Sequence, residues 1–284
     1  ADTSLTATEL TDAIDDANTV TGTTDTVFTI TAVDTITGSE ANFTDLLDDE
    51  TAEQISITDQ DLTVNDGEIS VTNANLLNGT TSGTVTATID AGTRVDDLKT
   101  LNGSNAYTIT IDNADATGST ATEFNTINSA TTVAIDASAV TGLASDDIDD
   151  ITTLLTAAAD DTKFANGSFE NLATVVVADT SLTATELTDA IDDANTVTGT
   201  TDTVFTITAV DTITGSEANF TDLLDDETAE QISITDQDLT VNDGEISVTN
   251  ANLLNGTTSG TVTATIDAGT RVDDLKTLNG SNAY

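Results

Sequence analysis

The chain has 284 residues and carries 51 acidic side chains against five basic ones, a formal net charge of −46. Phosphate backbones and anionic membrane surfaces need cationic partners, so nucleic acid is excluded as a binding class and an anionic membrane surface is disfavoured. Cysteine and histidine are absent, as are proline, methionine and tryptophan, which removes disulfides and Ser–His or Cys–His catalysis from consideration.

Residues 5–17 place Leu10, Ala13, Ile14 and Ala17 on one helical stripe, and Thr6 with Glu9 forms a capping-box pattern. A turn then leads into an alternating strand, Val27–Thr31. Gly38-Ser39 breaks the chain, and Phe43, Leu46 and Leu47 predict a short helix capped by Ser39. Strands are predicted at Gln54–Thr58, at Glu68–Thr72 with no helix between them, and at Thr84–Ile89. Val95, Leu98 and Leu101 mark another short helix, and Tyr107–Ile111 another strand. Thr120 with Glu123 repeats the capping box ahead of Phe124 and Ile127. A strand at Thr132–Ile135 follows, then the longest helix, with Ser145 as its cap and Ile148, Ile151, Leu155 and Ala158 inward. Phe169 and Leu172 predict a further helical turn, and Thr174–Val177 a strand.

At that point the sequence starts again. Ala1–Tyr107 returns letter for letter as Ala178–Tyr284, while Thr108–Val177 occurs once. Residues 1–177 therefore read as one full tandem repeat and residues 178–284 as the first 107 residues of the next, in one continuous array cut from a longer one. Within the period, ISITDQDL, ISVTNANL, ITIDNADA, VAIDASAV and VVVADTSL align as strand, polar elbow and apolar residue. The returns between them are long and often helical, which favours parallel crossovers over hairpins. The expected fold is an α/β solenoid: stacked parallel β-strands with short helices or loops as return paths. Threonine alternating with isoleucine and valine would line the opposite, water-facing side.

The segment Ile69-Ser70-Val71-Thr72-Asn73-Ala74-Asn75-Leu76 resembles the leucine-rich-repeat form LxLxxNxL in geometry. VAIDASAVTG (133–142), LTATELTDAID (5–15) and ATEFNTIN (121–128) resemble the very large, acidic, Thr- and Asp-rich tandem-repeat surface proteins of cyanobacteria. That resemblance implies secretion and a matrix, filament or surface role, and it carries over no catalytic residue.

Calcium takes six to eight oxygen ligands, which elbow acids can supply. The candidate positions are Asp59, Asp61, Asp90, Asp112, Asp115 and Asp136. Taken singly, each reads better as a solvated, turn-forming residue. Neither the GGxGxDxUx nonapeptide nor an EF-hand loop is present. Acid pairs such as Asp48-Asp49 and Asp146-Asp147 are too abundant to signal a glycosidase, and a near-complete duplication favours a structural role over an enzyme. The sequence thus points to an extracellular or cell-surface filament, sheath or surface-layer fibre that self-associates with divalent cations, with a calcium- or glycan-binding stalk or adhesin as the alternative. It predicts no direct membrane insertion.

Overall fold

The computed structural model describes residues 2–24, 26–112, 118–280 and 282–284. It is an α/β architecture of parallel strands in three sheets with helices between them. The chain divides into two compact units. The first holds Ala1–Asp112, Thr126–Ala137 and Asp161–Asn166, and the second Asn113–Asn125, Ser138–Asp160 and Gly167–Tyr284.

In the first unit the order is β1 (Ser4–Thr6), α1 (Ala7–Thr21), β2 (Thr35–Ser39), α2 (Glu40–Thr51), β3 (Asp61–Asp66), α3 (Val71–Thr80), β4 (Val85–Thr88), α4 (Val95–Leu98) and β5 (Ala106–Thr108). The five strands lie side by side in sequence order, all parallel. Each crossover carries a helix or a loop, as parallel neighbours require. Residues in register form rows across the sheet. Leu5, Ile36, Leu62 and Val85 make one row, whose last three members are fully buried. One residue on, Thr6, Thr37, Thr63 and Thr86 make a row on the opposite face, half-buried to exposed. The period-2 alternation of a strand produces both rows at once.

Next come α5 (Ala121–Ala130), β6 (Gly142–Asp146), α6 (Ile148–Ala158) and β7 (Thr174–Val177). The duplicate follows as β8 (Ser181–Thr183), α7 (Ala184–Thr198), β9 (Val204–Thr206), β10 (Thr212–Ser216), α8 (Glu217–Thr228), β11 (Asp238–Asp243), α9 (Val248–Thr257), β12 (Val262–Thr263) and α10 (Val272–Leu275). The second unit contains a sheet ordered β8-β10-β11-β12 and another ordered β6-β7-β9. Leu182, Ile213, Leu239 and Val262 repeat the inner row, and Thr183, Thr214, Thr240 and Thr263 the threonine row.

Strands run straight into helices because the caps sit at the strand ends. Thr6 Oγ1 accepts from the Glu9 N–H at 3.1 Å, and Glu9 Oε2 accepts from the Thr6 N–H at 2.9 Å. Ser39 and Asn42 close the same box at 3.2 and 3.0 Å, directly after a register shift at Gly38/Ser39. At the far end of α1, Gly22 takes a φ of 70° and its N–H returns to the Asn18 carbonyl at 2.8 Å, a left-handed stop that glycine makes without strain. Replacing Ser39 by alanine is expected to cost about 1 kcal/mol. Chemical denaturation of the single variant checks this, and an unchanged midpoint would show the box to be solvent-compensated.

Several predicted elements fall elsewhere. The strand expected at 68–72 is instead the entry to α3: Ser70 caps the helix at the Asn73 N–H, and Val71, Ala74 and Leu77 face the core. The strand of that segment is β3, which starts seven residues earlier and where Leu62 and Val64 alternate just as well. Gln54–Thr58 has buried Ile55 and Ile57 but lies outside the ladders, tied by single bonds from the Phe28 N–H to the Gln54 carbonyl and from the Ser82 N–H to the Thr58 carbonyl. Thr132–Ile135 holds only an isolated bridge, at Ile135. Asp147, not Ser145, stands at the N-cap position of α6, because Ser145 is inside β6, and the carboxylate that accepts from the Ile148 N–H is that of Asp179, at 2.8 Å. Among the described residues the longest helices are α1 and α7, at 15 residues each. Phe169 is fully buried in a turn at φ 58° rather than in a helix. The aligned elbow motif also splits: in VVVADTSL the first three residues belong to β7 and the last two to β8, in different sheets.

Candidate functional site

Five of the six candidate calcium ligands, Asp59, Asp61, Asp90, Asp112 and Asp136, lie among the described residues. Asp59 is exposed, and its Oδ1 accepts from Gln60 Nε2 at 2.6 Å. Asp61 opens β3, and its Oδ1 accepts from the N–H of Thr84, the residue before β4, at 2.7 Å. Asp136 pairs with Thr110 through backbone, with its N–H on the Ile109 carbonyl and its carbonyl on the Ile111 N–H. Asp112 is exposed one residue beyond Ile111. Asp115 lies outside the described residues. Among the described residues, no three or more Asp, Glu, His or Cys side chains gather as a metal-holding group.

Asp90 is different. It is half-buried, and burial pushes its carboxyl above the usual range, helped by the negative charges of Glu40 and Glu68. Those two carboxylates are held in place. Glu40 accepts from Asn73 Nδ2 at 2.7 Å and from the Ser70 N–H at 3.2 Å, and Glu68 accepts from the Ala91 N–H at 3.0 Å. Asp90 lines a recess of about 350 Å³ with Ser70, Thr72, Thr93, Arg94, Asp97 and Thr100. The duplicate builds the same recess, of about 360 Å³, with Ser247, Thr249, Asp267, Thr270, Arg271 and Asp274. Arg94 and Arg271 are two of only five basic residues in the chain, and each sits among hydroxyls and carboxylates. A mixed lining of this kind suits an uncharged polyhydroxylated ligand better than a simple ion, since both signs of charge and several donors and acceptors converge. The expectation of a strand at 68–72 hid the recess, because it turned Ser70 and Thr72 into ladder residues.

A second acidic cluster lies where α1 meets α2. Burial raises the Asp49 carboxyl, with Asp15, Asp48 and Asp45 adding repulsion. Its Oδ2 is buried without a hydrogen-bond partner among the described residues. In the duplicate, Asp226 is pushed up to about 6, chiefly by burial and then by Asp192, Asp225 and Asp222.

The core also contains a polar chain. Asn105 Nδ2 donates to Asn78 Oδ1 at 2.8 Å and to the Tyr107 hydroxyl at 3.2 Å, and that hydroxyl donates to the Ala74 carbonyl at 3.3 Å. Burial pushes the Tyr107 hydroxyl up to about 12, against the opposing effect of the Asn105 bond. In a Tyr284→Phe variant Tyr107 is the sole tyrosine, and its ultraviolet titration is expected to have a midpoint of about 12. A midpoint at the ordinary value of about 10 would mean that the hydroxyl reaches water.

No protein-family model matches the chain, and comparison with curated proteins and with solved structures finds no match. Among the described residues, no helix is long and apolar enough to cross a membrane.

Proposed function

We propose that the chain is part of a structural repeat protein: an α/β solenoid whose parallel coils stack into an extracellular or cell-surface filament, sheath or surface-layer fibre. The observation that carries this reading is the repetition of one register. Leu5-Ile36-Leu62-Val85 and Leu182-Ile213-Leu239-Val262 are the same ladder built twice from the same sequence. Nearest-neighbour stacking of identical units propagates without a closed domain border. The outer threonine rows and the acidic surface keep such a fibre hydrated, and divalent cations between chains offset its self-repulsion. Electron microscopy of native material from the source cells, with and without a calcium chelator, tests the reading. Fibres with an axial repeat of one 177-residue period support it, and their loss in chelator assigns the lateral bond to calcium. Dispersed rods in both conditions overturn it.

The duplicated recess favours a second reading, a stalk or adhesin that holds glycan at regular intervals. Two identical weak sites on one chain gain avidity on a polymeric ligand. This reading expects saccharide binding that falls when Asp90 and Asp267 are both changed to asparagine, with no self-association.

A further inference from the structure

The exact duplication turns the chain into an internal control. Chemically identical residues differ only in what surrounds them. At the C-terminal side of the 107-residue module, Val95, Leu98 and Tyr107 are 3%, 1% and 0% exposed, while their duplicates Val272, Leu275 and Tyr284 are 67%, 39% and 39% exposed. The first unit shows what makes the difference. Thr131 Oγ1 donates to the Tyr107 carbonyl at 2.7 Å, the Asn105 N–H donates to the Ala130 carbonyl at 3.1 Å, and Asn105 bridges Thr131 as a parallel neighbour. Ile127, Ala130 and Ile135 belong to the same unit and are themselves buried.

At the N-terminal side the order reverses. Leu182, Ala190, Ala194 and Phe205 are buried, whereas Leu5, Ala17 and Phe28 are only half-buried and Ala13 is exposed. Here the second unit shows the cover. β7 pairs in parallel with β9, α6 packs on α7, and Thr203 Oγ1 donates to the Leu172 carbonyl at 2.7 Å. Both covers come from the one stretch that occurs once, Thr108–Val177.

We infer that Thr108–Val177 is a two-faced connector, and that the face formed by Val272, Leu275 and Tyr284 is the docking surface for a further copy of it. Residues 126–137 of the connector recognise the C-terminal face of a module, and α6 with β7 recognises the N-terminal face. The two module faces thus match different parts of the connector. This rests on the repeat-array reading and names its joint: the array grows by connector and module in alternation.

The test appends a second Thr108–Val177 after Tyr284 and follows amide hydrogen exchange in the whole protein. Exchange at 272–284 is expected to slow by about 100-fold, to the level of 95–107. A control chain with the appended segment scrambled is expected to leave 272–284 as fast as in the parent. Unchanged exchange in the extended chain, or equal slowing by the scrambled segment, overturns the connector. Protection of 272–284 that appears in the parent chain on concentration, with dimers in sedimentation, also overturns it, because a second copy would then be the occupant. Slowed exchange with no fibres in the native material would keep the joint and sink the array.

Discussion

Truncating Leu98 to alanine is expected to destabilise the protein by about 2–5 kcal/mol, the range for a buried leucine whose cavity does not collapse. The same truncation at Leu275 is expected to stay within about 1 kcal/mol, because part of its side chain is already in water. The two leucines share 177-residue-spaced identical sequence, so intrinsic helix propensity, capping and local charge cancel in the comparison. Leu98 ends α4 in a buried setting, and Leu275 ends α10 with no buried residue in that helix. Equilibrium urea denaturation of both variants, with the slope compared to the parent, measures the difference. Equal losses would mean that the C-terminal face is covered in solution and would remove the basis for a docking surface there.

Asp226→Asn is expected to stabilise the protein at neutral pH. The folded-state carboxyl is raised to about 6 against an ordinary 3.8, first by burial and then by Asp192, Asp225 and Asp222. Between those two values the native state holds a proton that the unfolded state has lost. Stability therefore rises as pH falls from 7 through 6 and levels off below the unfolded-state value. Asparagine removes the charge without needing the proton. Discounted for the partial solvent access of the carboxylate, the gain at pH 7 is on the order of 1–2 kcal/mol, and it shrinks toward zero by about pH 4. Thermal denaturation of parent and variant at a series of pH values checks both the sign and the convergence. The raised Asp49, Asp90 and Asp193 act in the same direction. Glu9 and Asp96 act oppositely: a Thr6 cap and a Lys99 partner hold their carboxyls low. A parent chain that loses stability between pH 7 and 5 would refute the assignment.

Much of the local structure was legible because it depends on neighbours in sequence. The Thr6–Glu9 and Thr120–Glu123 boxes, the Ser39 cap, the buried stripe at Val95, Leu98 and Leu101, and β7 all follow from residues within one or two turns. Parallel strand order was also readable, since long helical returns leave little alternative. The six elbow acids were chosen by pattern, and pattern carries no distance. Asp59 and Asp61 lie together at the start of β3, Asp112 and Asp136 lie elsewhere in the first unit, and the recess around Asp90 is completed by Thr93, Arg94, Asp97 and Thr100, which no elbow motif contains.

What the amino-acid sequence by itself determined is the duplication, the parallel α/β plan, the charge and most helix starts. Strand boundaries were decided by the tertiary structure. Val204-Phe205-Thr206 is a strand because β7 pairs with it in parallel register, while the identical Val27-Phe28-Thr29 is not a ladder strand. An isolated extended segment gains nothing from its own backbone groups, whereas a helix satisfies them internally. A strand therefore exists only where a neighbour supplies the other half of each hydrogen bond.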